Sequence, residues 1–319
     1  MIKFIIISIL FTISLEISKG WGTEAKETDI PQPSITIEYI TQFGREGKGN
    51  DEFGGPFGIH ISSDQRVYIA DDLDHCIKIF DKKGRFLKRI GNKKGTSPGE
   101  FAYLDSVITD KKGNMYVADS GNNRVQMLDS EGKPLREIRR WGFMFHSFLN
   151  PRDLSFDKQG RLFVTDWGNH CVQVLGSDFK FLYRIGEKGS KPGEFQNPII
   201  LIHDSQGKLY VSDFKNHRIQ VFDPDGKFLF LFGKEGNGPG EFRNPAGLAF
   251  DFSGRLFVAE YGNHRVQVLT PEGKSLETFG KYGKGTGEFD KPTDLDIDSD
   301  NRLYIAEFGN HRVQIFQIH

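Results

Sequence analysis

Apolar residues in this chain come in short runs, and polar turn-formers separate them at near-constant spacing. Around the middle of one such stretch the runs cover residues 245–250, 255–260, 265–269 and 274–279. The gaps between them are rich in Asp, Gly, Asn and Pro, which favour tight turns. Runs of this length and composition predict four short β-strands forming one antiparallel sheet. Several are apolar at consecutive positions, which suits strands covered on both faces, as where sheets stack.

The same pattern returns along the chain. A Phe closes each Gly-rich connection at Phe53, Phe101, Phe148, Phe195, Phe242 and Phe289, spaced 48, 47, 47, 47 and 47 residues apart. Asn263-His264-Arg265-Val266-Gln267-Val268 recurs from Asn216 and from Asn310, with looser copies from Asn169, Asn122 and Asp74. A repeat this regular means six copies of one structural unit. The last copy stops at His319 after its third strand, while residues 37–43 hold the register of a fourth strand without its first three. The expectation is an all-β ring: a six-bladed β-propeller of four-stranded antiparallel blades over residues 35–319, closed by the N-terminal strand joining the three C-terminal strands. Closure of this kind protects sheet edges.

The repeat resembles the NHL family. The residues that carry the likeness are the acid ending each second strand (Asp71, Asp119, Asp166, Asp213, Glu260, Glu307), the Asn-His-Arg-Val-Gln run after it, and the Gly-x-Gly-Glu-Phe-x-x-Pro connection. The resemblance implies the propeller fold but no single function, since similar blades serve as ligand-binding, scaffolding or catalytic domains. The amidating lyases, similar in being six-bladed NHL-type propellers, place zinc-binding His directly after the strand-one Pro in alternating blades. Those positions here hold Phe57, Asp105, Arg152, Ile199, Ala246 and Thr293, so that zinc site does not carry over. The tripartite-motif proteins add RING and coiled-coil segments, and neither a Cys/His zinc cluster nor a heptad run is present here.

Composition narrows the picture further. Of 319 residues, 37 are Gly and 13% are aromatic, which fits many strands and turns. The formal net charge of −1 provides no long-range field for nucleic acid. Residues 1–22, with Lys3 ahead of an apolar run from Phe4 to Leu15, are expected to be a signal peptide, with 23–34 a polar linker. The run is short for a span, so the mature chain is expected to be secreted or periplasmic; an uncleaved anchor is the alternative. Cys76 and Cys171 replace the Arg of the repeat in two non-adjacent units, too far apart for a disulfide, and are expected to be free buried thiols.

Antiparallel blades sort the loops onto two faces. The blade-to-blade connections and the turns after strand two share one face, called the top; the Asp-Gly hairpins share the other. On the top, Trp167, Phe214, Tyr261 and Phe308 follow the strand-two acid in four consecutive blades, an arc that is either a partner-binding rim or packing over the blade interfaces. The connection that departs most from the repeat carries Arg139, Arg140, Trp141, Phe143, Phe145 and His146, hot-spot residue types that form either a binding loop or an apolar plug. His60, Asp105, Arg152, Asp153, Asp294 and Asp296 are candidates at the channel mouth, with His60 brought beside Asp296 by ring closure. The repeated His75, His170, His217, His264 and His311 cannot converge on one ion, so no metal and no cofactor is expected. Taken together, the chain is expected to be a monomeric, exported, non-catalytic propeller that recognises a protein, peptide or glycan partner on its top face, without nucleic acid and without a membrane span in the mature chain. The alternative is an enzyme of lyase or hydrolase type at the channel mouth.

Overall fold

The computed structural model describes residues 35–139 and 147–319. Of the candidates above, Arg140, Trp141, Phe143, Phe145 and His146 lie outside these residues.

The turn spacing is realised as six four-stranded antiparallel sheets. One blade shows the plan: Pro56–Ile61, Val67–Asp71, Cys76–Phe80 and Phe86–Ile90 pair in chain order. The first strands are innermost. Pro56–Ile61, Leu104–Thr109, Pro151–Phe156, Pro198–His203, Pro245–Phe250 and Pro292–Ile297 contact one another in sequence, and Pro56–Ile61 meets Pro292–Ile297 to complete the circuit. The consecutive apolar runs are explained by this stacking: second and third strands are buried along most or all of their length, while fourth strands at the rim are largely half-buried or exposed. Closure follows the expected route, with Ile37–Phe43 antiparallel to Arg312–Ile318 in register from Ile37↔Ile318 to Phe43↔Val313.

The recurrent motif is a buried polar unit. In the second blade, Asp119 accepts hydrogen bonds from Ala102 N (2.8 Å), Arg124 Nε (2.6 Å) and Gln126 Nε2 (3.0 Å). The Arg124 guanidinium also donates to the carbonyls of Thr96, Ser97 and Glu100, and Gln126 Oε1 accepts Gly99 N–H. The unit thereby ties the top connection to the second and third strands. It recurs around Asp213, Glu260 and Glu307 with Arg218, Arg265 and Arg312. The preceding His sits at the left-handed turn position, at φ 52–55°. His75, His170, His217 and His264 each accept a backbone N–H of the next blade through Nδ1, from Tyr103, Asn197, Asn244 and Lys291. These histidines are stitches between blades.

Two further choices follow from crowding. Gly44, Gly91, Gly186, Gly233 and Gly280 open the connections at φ between 79° and 93°, and a Cβ there would strike the ring of the repeat Phe. Near the axis, a Cβ at Gly247 would lie 2.6 Å from Asp294 Cα, so neighbouring inner strands approach only because that side chain is missing.

Removing the cation from one motif leaves a carboxylate buried without its partner. Arg124→Leu is therefore expected to lose about 3–5 kcal/mol in urea unfolding. A loss below about 1 kcal/mol would show that Asp119 relaxes to solvent instead.

Candidate functional site

The inner strands place the channel candidates in two groups. Those directly after the strand-one Pro stand at the top. Phe57 reaches across the channel: the Arg152 guanidinium, two blades away, lies 5.5 Å from its ring, and Phe57 packs in one apolar cluster with Ile199 and Ala246 of the opposite side. It closes the upper channel. Arg152 is held between Phe57 and Trp167, whose ring is 4.7 Å from the guanidinium.

The aromatic arc is continuous from Trp167 to Tyr261. Trp167 and Phe214 are 5.6 Å apart between ring centroids, and Phe214 and Tyr261 5.9 Å. Phe214 is buried, whereas Trp167, Tyr261 and Phe308 pack on the same cluster and stay partly exposed. The arc is thus both packing and rim. Where two blades lack the aromatic, Asp72 and Ser120 leave a polar notch. Ser120 Oγ bonds Asp105, and Arg152 Nη1 donates to Asp105 Oδ1 at 2.6 Å. Burial, then the neighbouring Asp105 charge, pushes Asp72 up to about 8. Asp72 Oδ1 and Arg152 Nε are buried with no hydrogen-bond partner. Asp72, Ser120 and Phe57 were not among the sequence candidates; the break in the aromatic series at Asp72 and Ser120 was the available signal.

The second group lies deeper. Asp153, Asp294, Asp296 and His60, with Ser106 and Thr109, line a cavity of about 320 Å³ walled by all six inner strands. Their oxygens are already engaged. Asp153 accepts Ser106 Oγ (2.7 Å) and Leu201 N (3.0 Å). Asp294 accepts Ile59 N (3.0 Å) and Asp296 accepts Ile61 N (2.7 Å), each across the ring closure. These carboxylates satisfy inner-strand N–H groups that have no strand partner on the channel side. His60 is 3.8 Å from Asp296 as the closure predicts, and its Nε2 meets Thr109 Oγ1 at 2.9 Å. Burial pushes His60 down to about 4, Asp153 up to about 6 and Asp296 up to about 7, and it raises Asp294 well above 3.8 with Asp153 adding to the shift.

Asp71, Asp74 and Cys76 are the group of potential metal ligands brought together among the described residues. Lys78 Nζ occupies that centre, 2.8 Å from Asp71 and 2.9 Å from Asp74. Cys76 and Cys171 are free and buried, and burial pushes both thiols up to about 12. No helix among the described residues is long and apolar enough to cross a membrane.

Carboxyls that hold protons to higher pH when folded than when unfolded favour the folded state at low pH. That contribution is full below the ordinary carboxylate value and fades as pH rises through about 6 and 7 for Asp153 and Asp296. Between pH 5 and 8 the Tm of Asp296→Asn should therefore fall less steeply than that of the parent chain. Parallel slopes in a calorimetric series would remove Asp296 as the titrating group.

Comparison with known proteins agrees with this architecture. The family described as a 6-bladed beta-propeller matches residues 58–150 and 196–254, and the NHL repeat matches 148–175, 242–269 and 289–316. Protein brain tumor of Drosophila melanogaster is 28% identical over 102 residues, 31% of this chain and only 10% of that protein's length. Among solved structures, virginiamycin B lyase from Staphylococcus aureus superposes with a TM-score of 0.59 at 14% identity, covering 90% of this chain and 88% of that one. A gluconolactonase from Xanthomonas campestris gives 0.65 at 16%, covering 83% and 87%. An auxiliary nutrient binding protein from Bacteroides thetaiotaomicron gives 0.63 at 14%, covering 90% and 77%. At these identities the structures share the fold alone, and they include both enzymes and binding proteins. By its repeats and its closed ring of sheets, the chain is a six-bladed β-propeller built of NHL repeats.

Proposed function

We propose that this propeller is an exported, non-catalytic binding protein that takes a protein, peptide or glycan on its top rim. The observation that carries the reading is the notch beside Trp167. There Asp72 Oδ1 and Arg152 Nε are buried without partners, next to a half-exposed aromatic ring. Buried polar atoms without partners are costly, and a ligand that supplies a donor to Asp72 and an acceptor to Arg152 recovers that cost. The aromatic arc adds flat apolar surface against which a sugar face or side chain stacks. Export is supported by the apolar run behind Lys3.

An enzyme at the lower cavity is the second reading. The raised carboxyls of Asp153 and Asp296 favour it, since groups titrating near neutrality suit general acid–base work. Against it, these carboxylates are committed to inner-strand N–H groups, and Phe57 closes the channel above them.

Glycan and peptide arrays probed with the parent chain and with Trp167→Ala/Tyr261→Ala separate the two. The rim reading expects the double variant to lose at least about tenfold in affinity for each array hit, with its fold retained by circular dichroism. Undiminished binding by the variant would sink that reading. Turnover of ester, lactone or uronide substrates that disappears in Asp153→Asn would favour the enzyme.

A further inference from the structure

On the face opposite the rim, an arginine at the start of the second strand holds the acid of the preceding turn in three blades. Arg161 is the fullest case: its Nε donates to Asp157 (2.5 Å), Nη1 to Tyr183 Oη (3.1 Å) and Nη2 to Pro224 O of the next blade (2.6 Å). Arg255 and Arg302 pair likewise with Asp251 and Asp298. The position is also basic in two further copies, Arg66 and Lys208. In the second blade it is Asn114, whose short side chain reaches only its own turn, with Nδ2 donating to Asp110 Oδ2 at 2.8 Å. The positions that match the partners of Arg161 are Asp110, Arg136 and Ser177, all of them described residues. Between the second and third blades the space stays open as a cleft of about 650 Å³.

A second departure from the repeat falls at the same place. The hairpin after the third strand carries Gly at its left-handed position in four blades, at Gly84, Gly132, Gly226 and Gly273, with φ between 77° and 91°. The third blade has Phe179 there, at φ 63°. A bulky residue in this region is strained and persists only where its surroundings hold it. The Phe179 ring packs on Tyr116 at 5.7 Å between centroids, and Tyr116 meets Phe156 edge-on at 4.9 Å. These three rings wall the cleft. Its mouth is basic. Lys111 and Lys158 are exposed in the lining; Lys111 makes no ion pair among the described residues, and Lys158 Nζ reaches only Ser205 O at 2.6 Å. Arg136 stands 5.0 Å over the Phe179 ring, also without a carboxylate partner among the described residues. Of the two carboxylates in the lining, Asp157 is paired with Arg161. Asp110 is turned onto its own loop, accepting Lys112 N (2.8 Å) and Asn114 N (2.9 Å). The charge left over at the cleft is therefore positive, in a chain whose formal net charge is −1.

We propose that the cleft between the second and third blades is a binding site for a small aromatic carboxylate. Its volume is that of a small-molecule pocket, with apolar walls and a few polar groups at the edge. A flat ring fits among Tyr116, Phe156 and Phe179, where edge-on and offset contacts are both open to it. The carboxylate then meets Lys111 and Lys158. Lys158 exchanges a bond to a carbonyl for one to a charged acceptor, which is the stronger. A cationic ligand is disfavoured by the same residues. A guanidinium placed as Arg161 is in the next blade would find Arg136 where Arg161 finds the Tyr183 hydroxyl, a cation in place of an acceptor. The strain at Phe179 also gains a reason: Gly at that position would fold as well but would remove one wall. The inference goes beyond the rim reading, since it concerns the opposite face and none of its residues belongs to the arc or the notch.

The test is calorimetry of the full chain with cinnamate, its neutral amide cinnamamide, and the peptide N-acetyl-Gly-Gly-Phe with a free C-terminus. Cinnamate should bind about threefold or more tighter than cinnamamide at low salt, and the difference should shrink as salt is added. Lys111→Gln/Lys158→Gln should remove that difference and leave cinnamamide binding as it was. Two further variants install the residue that other blades carry, so the fold is retained. Asn114→Arg fills the cleft and Phe179→Gly removes a wall, and each should weaken cinnamate binding at least about tenfold. Neither touches the rim, so glycan and peptide array binding should be unchanged in both, and the two readings fail separately. Equal affinity for cinnamate and cinnamamide, or cinnamate binding that survives both Asn114→Arg and Phe179→Gly, would overturn the proposal. Tighter binding of the peptide than of cinnamate would overturn it as well, because the cleft would then be built for a chain terminus.

Discussion

In four of the six blades the pairing of a buried carboxylate with a guanidinium holds the blade in shape. An acid such as Asp119 cannot stay ionised in a fully covered site without compensation, and Arg124 provides it while satisfying three connection carbonyls. One side chain thus does the work of a loop scaffold. It sets where the top connection runs, and hence where the repeat Phe and the next inner strand begin. The His at the left-handed turn position then carries the order from one blade to its neighbour.

The same frame explains why the molecule has two different polar interiors. Inner strands expose a free edge to the channel, and Asp153, Asp294 and Asp296 occupy that edge as acceptors. Their raised proton affinities are the consequence of doing so in a narrow cavity, with no cation among the causes of the shifts in Asp153 and Asp294. At the top, the channel is shut by Phe57, and polarity moves outward to the notch of Asp72, Asp105, Ser120 and Arg152. Chemistry that looked like one mouth is divided by an aromatic ring into a lower cavity and an upper rim.

The candidates were legible to different degrees. The aromatic arc could be read because it obeys the repeat: Trp167, Phe214, Tyr261 and Phe308 fall at one register position. His60 beside Asp296 could be read because ring closure fixes which blades are neighbours. The plug by Phe57 could not, since it depends on a side chain crossing the channel to Arg152 and to the apolar residues of blades four and five. Nor could the notch. The replacement of the aromatic by Asp72 and Ser120 is plain in the chain, but the unpartnered Asp72 Oδ1 and Arg152 Nε exist only once the blades are assembled.

By itself the sequence determined the number of blades, their strand order and the closure of the ring, because all of these repeat with a fixed period and each repeat reports the same local constraints. The tertiary structure decided which polar atoms remain without partners and which surfaces stay open. Those depend on distances between residues of different blades, and a pattern that is identical in every blade carries no information about the places where the copies differ in what they touch.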